Sequence, residues 1–356
     1  MPKSADDAHL SRRRFLAAGA KSLAGAMVSA PLLSLAGVAG TPLVADASGK
    51  RPLQTLKLQL DWVKDVEMAG VWYAMTQGFY RDEGIELAVS PGGPNIDPVT
   101  LVASGSADVG VVGNSASIVQ ARSKGIPVRA IGAQFQQLLG CYFALKSSGI
   151  KSPKDFRGKR LGTQIPYLYD TLYLLQWAKI PQSDVKIVPI PSNDVTPLLD
   201  HKVDAMTGWV TEQVQEVKNL GHEVNVMMFS EYGFDFYANA LLVNDQALHT
   251  KKALFARFLR ATRKGWLYAR THPKQVTELT VRKYGTGLEF KQQYQEMVDQ
   301  DPYMISEATR AHGLFWMTPY IWERGQHILK QFHQISRTVP VQDLFTDEVL
   351  VQSLKA

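Results

Sequence analysis

A chain of 356 residues, 45% hydrophobic and 20% charged, has the composition of a folded protein long enough for one large domain or two of medium size, which excludes a mainly disordered chain. Its net charge of +6 comes with 39 basic residues scattered without a dense block or stripe, so nucleic acid is not an expected partner. The one cysteine, Cys141, permits no intrachain disulfide, and within the apolar run CYFALK it reads as a buried small hydrophobe rather than a reactive thiol.

Residues 1–47 read as an export signal. Ser11-Arg12-Arg13-Arg14-Phe15-Leu16 precedes a Gly/Ala/Ser/Leu/Val tract that runs to about Gly40, and Ala45-Asp46-Ala47 fits a small-x-small cleavage site, favoured over one at Ala39. Lys21, Pro31 and several glycines interrupt the tract, which argues against a transmembrane helix. The paired arginines imply the twin-arginine translocase, which carries folded proteins. No cysteine follows the tract, so a lipid anchor is not indicated. Cleavage after Ala47 removes five basic and three acidic residues and leaves 309 residues with a charge of +4.

The rest of the chain alternates strand and helix. Leu56, Leu58 and Leu60 alternate with polar residues as in a strand; from Glu67, Met68, Trp72, Met75 and Phe79 follow helical spacing to about Gly78. Ile85, Leu87 and Val89 make a second strand, and PGGPNIDP is a loop. Asp97 as N-cap and Pro98 at the first helical position open a short helix that Gly105 closes. ADVGVVG, the helix ASIVQARSKG and the strand VRAIGAQ continue the pattern, with Asn114 and Ser115 as cap candidates. Such alternation predicts a mostly parallel sheet flanked by helices.

After YFALK the series restarts. The strands KRLGTQ, VKIVPI, VDAMTGW and VNVMMF are separated by helices over Tyr169 to Lys179, Asp194 to Leu199 and Thr211 to Leu220. ANALLV reads as one more extended run. From Thr250 onward the chain is mostly helical, with Leu254, Phe258 and Leu259 on one face. SGSADVGVV and DHKVDAMTG resemble each other, a hint of related halves too short to be a repeat.

No reaction is announced. The chain lacks a G-x-S-x-G elbow, a G-x-x-x-x-G-K-[ST] phosphate loop and a G-x-G-x-x-G after a strand. His201, His222, His249, His272, His312, His327 and His333 show no metal-ligand spacing and read as surface or capping residues. No catalytic residue, metal or cofactor is therefore expected.

Open α/β sheets bind ligands beyond the carboxyl ends of their strands. At those positions stand Trp62, Glu67, Gly92, Gly93, Pro94, Asn95, Asn114, Ser115 and Gln134, then Gln164, Tyr167, Tyr169, Asp170, Ser192, Asn193, Trp209 and Glu212. The set holds aromatics, amides and three acids but neither lysine nor arginine, which suits a flat heterocycle with hydrogen-bond donors better than an anion. Each has a plainer role open to it: an aromatic at a strand end packs lobes as often as ligands, and Asp170 or Glu212 also favours a helix N-terminus. Asp61 and Trp62 end the first strand at this edge, so Trp62 can lie against a ring while Glu67 accepts hydrogen bonds from it.

The stretch LQLDWVKDVEMAGVWYAMTQGFYRDEGIELAVSPGGPNIDP, followed by VASGSADVGVVGNSASIVQARSKGIPVRAIGA, resembles the solute-binding proteins of ABC importers in the thiamine-pyrimidine-precursor group. It is also similar to nitrate, taurine, alkanesulfonate and riboflavin receptors. The resemblance weakens after about residue 250. It implies a periplasmic type II binding protein of α/β class with two lobes, each a mostly parallel sheet flanked by helices, and a helical C-terminal part. Lobe 1 is expected at 48–142 and 240–356 and lobe 2 at 143–239, joined by crossover strands near 141–146 and 236–243. The implied partners are a small heterocyclic ligand and an inner-membrane ABC permease. An alkanesulfonate, taurine or nitrate receptor is the alternative within this class, and a twin-arginine-exported periplasmic enzyme the alternative outside it. The same superfamily contains pyrimidine synthases with a cysteine-rich iron motif and a histidine consumed as substrate; this chain has neither.

Overall fold

In a computed structural model, residues 52–93, 96–164, 167–191 and 194–355 are described. The export signal at 1–47 and the candidates Pro94, Asn95, Ser192 and Asn193 lie outside the described residues.

Among the described residues ten strands form two sheets. The first contains β1 (Gln54–Gln59), β2 (Ile85–Ser90), β3 (Val109–Val112), β4 (Val128–Phe135) and β10 (Ala238–Asn244); the second contains β5 (Gly140–Leu145), β6 (Arg160–Thr163), β7 (Lys186–Pro189), β8 (Ala205–Trp209) and β9 (Val224–Met228). The orders are β2-β1-β3-β10-β4 and β7-β6-β8-β5-β9. β1 pairs in parallel with β2 and β3, and β6 with β7 and β8. One strand of each sheet runs antiparallel: β10 between β3 and β4, and β5 between β8 and β9. Each antiparallel strand is the one that arrives from the other sheet, so the chain crosses at 136–139 and again at 229–237. β5 pairs only in the second sheet from Gly140 onward, and β10 in the first from Ala238.

The two stretches that resemble each other occupy equivalent places. Asp108, before β3, donates its N–H to Lys57 O at 3.0 Å, and its carboxylate accepts from Lys57 N at 2.9 Å. Asp204, before β8, makes the same pair with Arg160, at 2.8 and 2.7 Å.

The helix Ala69–Thr76 packs against the helix Asp245–Thr271, which follows the Asn244 cap and starts five residues before Thr250. They cross at a glycine pair, where a Cβ on Gly265 would stand 2.0 Å from Gly70 O and one on Gly70 2.3 Å from Trp266 Cγ. Close approach of this kind needs small residues. Trp72 is fully buried, stacks on Tyr284 at 4.8 Å and donates its indole N–H to Asp65 O at 2.7 Å, anchoring the turn that leaves β1. Cys141 is buried and its thiol donates to Gly208 O at 3.4 Å; burial raises its pKa, so it stays a thiol. All seven histidines of the described chain are exposed. No described helix is long and apolar enough to cross a membrane.

Candidate functional site

The carboxyl ends of β1, β3, β6 and β8 face one another across a cleft. After β1 the chain makes a short 3-10 turn over Val66–Met68, capped by Asp65, whose Oδ1 accepts from Glu67 N at 2.9 Å. Glu67 is only 8% exposed, and its carbonyl is held by Gln134 Nε2 at 2.8 Å. Gln134 thus positions the Glu67 turn. The loop after β2 closes over β1: Gly92 N donates to Trp62 O at 2.7 Å and Gly93 N to Asp61 O at 2.9 Å. A Cβ on Gly92 would stand 2.1 Å from the Asp61 carbonyl carbon, so only glycine permits this contact.

Asp61 turns toward Gly113 at the end of β3, where an added Cβ would lie 2.7 Å from Asp61 Oδ2. From the second lobe Trp209 reaches the same spot: its Cζ2 is 3.6 Å from that Cβ position, and its ring meets Phe135 of β4 edge-on at 6.2 Å. Glu212 follows Trp209 and accepts from Gln213 Nε2 at 2.6 Å; burial raises its pKa, against Gln213 and, across the cleft, the Trp62 side chain, which favour its charged form. Asp61, Trp62, Trp209 and Glu212 keep part of their surface exposed, whereas Asp65 and Glu67 lie behind them, buried.

These acids are held on the protonated side of their ordinary behaviour. Burial pushes Asp61 up to about 6, against the backbone N–H groups that favour its charge. Asp65 and Glu67 are raised further, first by burial and then by neighbouring carboxylates, Glu212 foremost for Asp65 and Asp65 for Glu67. Among the described residues no lysine or arginine forms an ion pair with Asp61, Asp65 or Glu67. Asp170, 2% exposed, is pushed up to about 7 by burial, and its Oδ1 has no hydrogen-bond partner. It lies behind Tyr167, which caps the helix Leu168–Trp177 and packs on Phe229 at 5.8 Å.

Other candidates are placed differently. Tyr169 is 44% exposed on the outside of that helix. Asn114 Oδ1 accepts from Ala116 N at 2.9 Å, and Ser115 exchanges two hydrogen bonds with Tyr237, N to O at 2.9 Å and Oγ from N at 3.0 Å. Both serve the backbone where β10 enters the first sheet. Gln164 is half-buried at the end of β6, its N–H donating to Thr207 Oγ1 at 3.0 Å.

Three contributors escaped sequence reasoning. Asp65 caps the turn before Glu67 and is buried beside it. Asn239, the second residue of β10, is 1% exposed and adopts φ 45°, a left-handed conformation rare for a strand residue. Its amide is directed at Glu67, and neither amide atom completes a hydrogen bond. Glu296 comes from the helix Phe290–Asp299, beyond the stretch in which a site was sought.

Residues 65–276 match the NMT1/THI5 like family. The chain is 24% identical to the riboflavin-binding protein RibY of Chloroflexus aurantiacus, over 87% of this chain and 90% of that one. With a 4-amino-5-hydroxymethyl-2-methylpyrimidine phosphate synthase of Legionella pneumophila it shares 29% identity over 62% and 71%. With a formylaminopyrimidine-binding protein of Halalkalibacterium halodurans the figures are 24% over 65% and 71%. Among solved structures, the periplasmic aliphatic sulphonate binding protein SsuA of Escherichia coli superposes with a TM-score of 0.61, at 15% identity over 81% of this chain and 91% of that one. That likeness establishes the two-lobed periplasmic binding protein fold. The family match spans more than half of the sequence, and the chain belongs to the NMT1/THI5-like family.

Proposed function

We propose that this protein is the solute-binding component of an ABC importer, which captures a small aromatic or heterocyclic metabolite between its lobes in the periplasm and hands it to an inner-membrane permease. Pyrimidine precursors of thiamine are the favoured class. The reading rests on one observation: Trp62 from the first lobe stands with Glu212 from the second at the mouth of a cleft backed by Asp61, Asp65 and Glu67. A flat ring offers its face to the indole and its amino groups to the carboxylates. Relatives named for binding riboflavin and formylaminopyrimidine support this choice. Export by the twin-arginine route, and lobes divided at 48–142 with 240–356 and 143–239, belong to the same proposal.

Binding without catalysis is part of it. Relatives named as synthases make turnover the obvious alternative, yet the sole cysteine is buried in β5 and the turn after Trp62 presents Glu67 where no histidine stands. A sulfonate or nitrate would meet acids from both lobes, and those ionised near neutral pH, Asp61 with its pKa of about 6 among them, would repel it.

Fluorescence titration tests the reading. 4-Amino-5-hydroxymethyl-2-methylpyrimidine is expected to quench tryptophan emission at micromolar concentration, which requires about −8 kcal/mol, of which one stacked ring gives about 1. Taurine, alkanesulfonates and nitrate are expected to have no effect at millimolar concentration. Tight sulfonate binding would overturn the assignment. Replacing Arg12 and Arg13 by lysine should retain the precursor in the cytoplasm; normal export of that variant would remove the twin-arginine element.

A further inference from the structure

The helix Phe290–Asp299 lies against the Val66–Met68 turn of the first lobe and against the helix Gln213–Asn219 of the second. Two glutamines clamp it to the turn: Gln293 Oε1 accepts from Val66 N at 3.1 Å, and Gln300 Nε2 donates to Val66 O at 2.9 Å. Between them stands Glu296, buried where the charges of Asp65, Glu212 and Glu67 act on it. Its Oε2 accepts from Gln293 Nε2 at 2.9 Å, its Oε1 has no partner, and the residue is 1% exposed.

Glu296 makes a fifth carboxylate with Asp61, Asp65, Glu67 and Glu212, gathered from three separate parts of the chain. Asp65, Glu212 and Glu67 are the charges that act on it. The charged residues of the neighbouring helix Pro273–Lys283, namely Lys274, Glu278, Arg282 and Lys283, are exposed, and Asp301 in the following turn is paired with Arg270 at 2.5 Å. On the second-lobe side Glu216 is half-buried and adds negative charge beside Glu212. No ion pair reaches Glu296 among the described residues. The buried, unpartnered amide of Asn239, aimed at Glu67 from the opposite strand, marks the same place as one where a polar group is wanted.

We propose that Glu296 is a specificity-determining residue which makes this cleft select a positively charged amino-heterocycle over a neutral ring. The inference rests on the heterocycle reading above and narrows it. A buried carboxylate cluster without cations is tolerated by holding protons. A bound cation replaces those protons, so the ligand's charge is stabilised by carboxylates that ionise as it enters, and the displaced protons leave to solvent. A neutral ring gains only hydrogen bonds and stacking.

Calorimetry of the mature protein in two buffers of different ionisation enthalpy decides it. The probes are 4-amino-5-hydroxymethyl-2-methylpyrimidine methylated at a ring nitrogen, a fixed cation; riboflavin, a neutral ring; and 1,4-diaminobutane, a cation without a ring. The fixed-cation pyrimidine is expected to bind with release of about one proton near neutral pH and to gain at least tenfold in affinity from pH 5 to pH 8. Glu296→Gln keeps the contact with Gln293 and should cost that probe at least tenfold while changing riboflavin binding less than threefold. Riboflavin binding equal to or tighter than that of the cation, or a wild-type cation affinity that is flat with pH, overturns the charge selection and leaves the heterocycle reading standing. If only the diamine binds, with proton release and dependence on Glu296, cation selection stands and the heterocycle reading falls. If no probe binds, both are overturned.

Discussion

In the first sheet β1 ends at Gln59 and runs through Asp61 into the acidic turn that carries Asp65 and Glu67; in the second, β6 holds the same place in the strand order and runs into Gln164, Tyr167 and Asp170. Counting from the matching clasps at Lys57–Asp108 and Arg160–Asp204, Asp61 corresponds to Gln164 and Gly113 to Trp209. Those last two face each other across the cleft, with Trp209 Cζ2 3.6 Å from where a Cβ on Gly113 would stand and Asp61 Oδ2 taking the room that the missing side chain leaves. Common topology fixes where the loops gather, and the loop residues divide the labour. The first lobe supplies Trp62, the acidic turn of Asp65 and Glu67 and a floor of glycine. The second supplies rings and Glu212.

The largest effect is expected from breaking that glycine-for-tryptophan complementarity. Gly113→Val places a side chain where even a Cβ comes within 2.7 Å of Asp61 Oδ2 and crowds Trp209. Overpacking of this kind costs about 1–3 kcal/mol, and here it falls on the approach of the lobes, so pyrimidine affinity should drop by about a hundredfold. Calorimetry measures this, and circular dichroism checks that the fold persists. Full affinity in this variant would show that the lobes do not meet at Gly113 when ligand is bound.

Trp62→Ala comes next, with at least a tenfold loss for any aromatic ligand, since the stack and part of the support for Glu212 disappear together. Unchanged quenching and affinity would place the ring elsewhere. Glu67→Gln should be milder and selective, weakening amino-substituted rings severalfold more than unsubstituted ones.

The acids also give the two lobes a shared pH signature. Asp61 titrates in the folded protein at about 6 and Asp170 at about 7, both above the ordinary value of 3.8. A raised carboxylate pKa means the folded state binds protons more readily than the unfolded one, so stability increases as pH falls through the folded pKa. Without ligand, the melting temperature should climb by a few degrees from about pH 8 to about pH 5, and Glu67→Gln should raise it at pH 8. A melting temperature that falls over that interval would mean the cleft acids are paired in solution.

Much of this arrangement was legible in the sequence. The period of two in Leu56, Leu58 and Leu60 and the helical spacing of Met68, Trp72 and Met75 locate β1 and the helix after it, and thus the turn between. What strand ends cannot reveal is side-chain direction. Tyr169 and Asp170 are neighbours on a helix, where successive residues point about 100° apart, so only one can face inward, and the start of the helix at Tyr167 decides for Asp170. Asn114 and Ser115 sit at the right edge but spend their polar atoms on Ala116 and Tyr237. Asn239 and Glu296 carry no local signal, because they reach the cleft through an antiparallel strand from the other lobe and a helix far along the chain.

The smallest expected effect separates the lobes at the far edge of the sheets. Asp108 and Asp204 clasp equivalent backbone N–H groups, but their side-chain partners differ: Lys251 Nζ reaches Asp108 at one point, 2.8 Å, whereas Arg160 grips Asp204 through Nε at 3.1 Å and Nη2 at 2.6 Å. Both pairs are partly exposed, so each ion pair contributes at most about 1 kcal/mol, and the loss of a clasp adds about the same. Asp204→Asn should therefore destabilise by about 1–2 kcal/mol and Asp108→Asn by slightly less, measured by urea denaturation near neutral pH. The sign with pH opposes that of the cleft. The side-chain hydrogen bonds from Arg160 lower the pKa of Asp204, so its contribution is present above the ordinary carboxylate value of 3.8 and disappears as pH falls below it. The difference between wild type and Asp204→Asn should thus shrink below about pH 4, opposite to the contribution of the cleft acids, which keeps growing until pH falls below the ordinary carboxylate value. If the two asparagine variants cost the same and respond alike to acid, the second lobe gains nothing from the bidentate arginine, and the two clasps are equivalent in energy as well as in place.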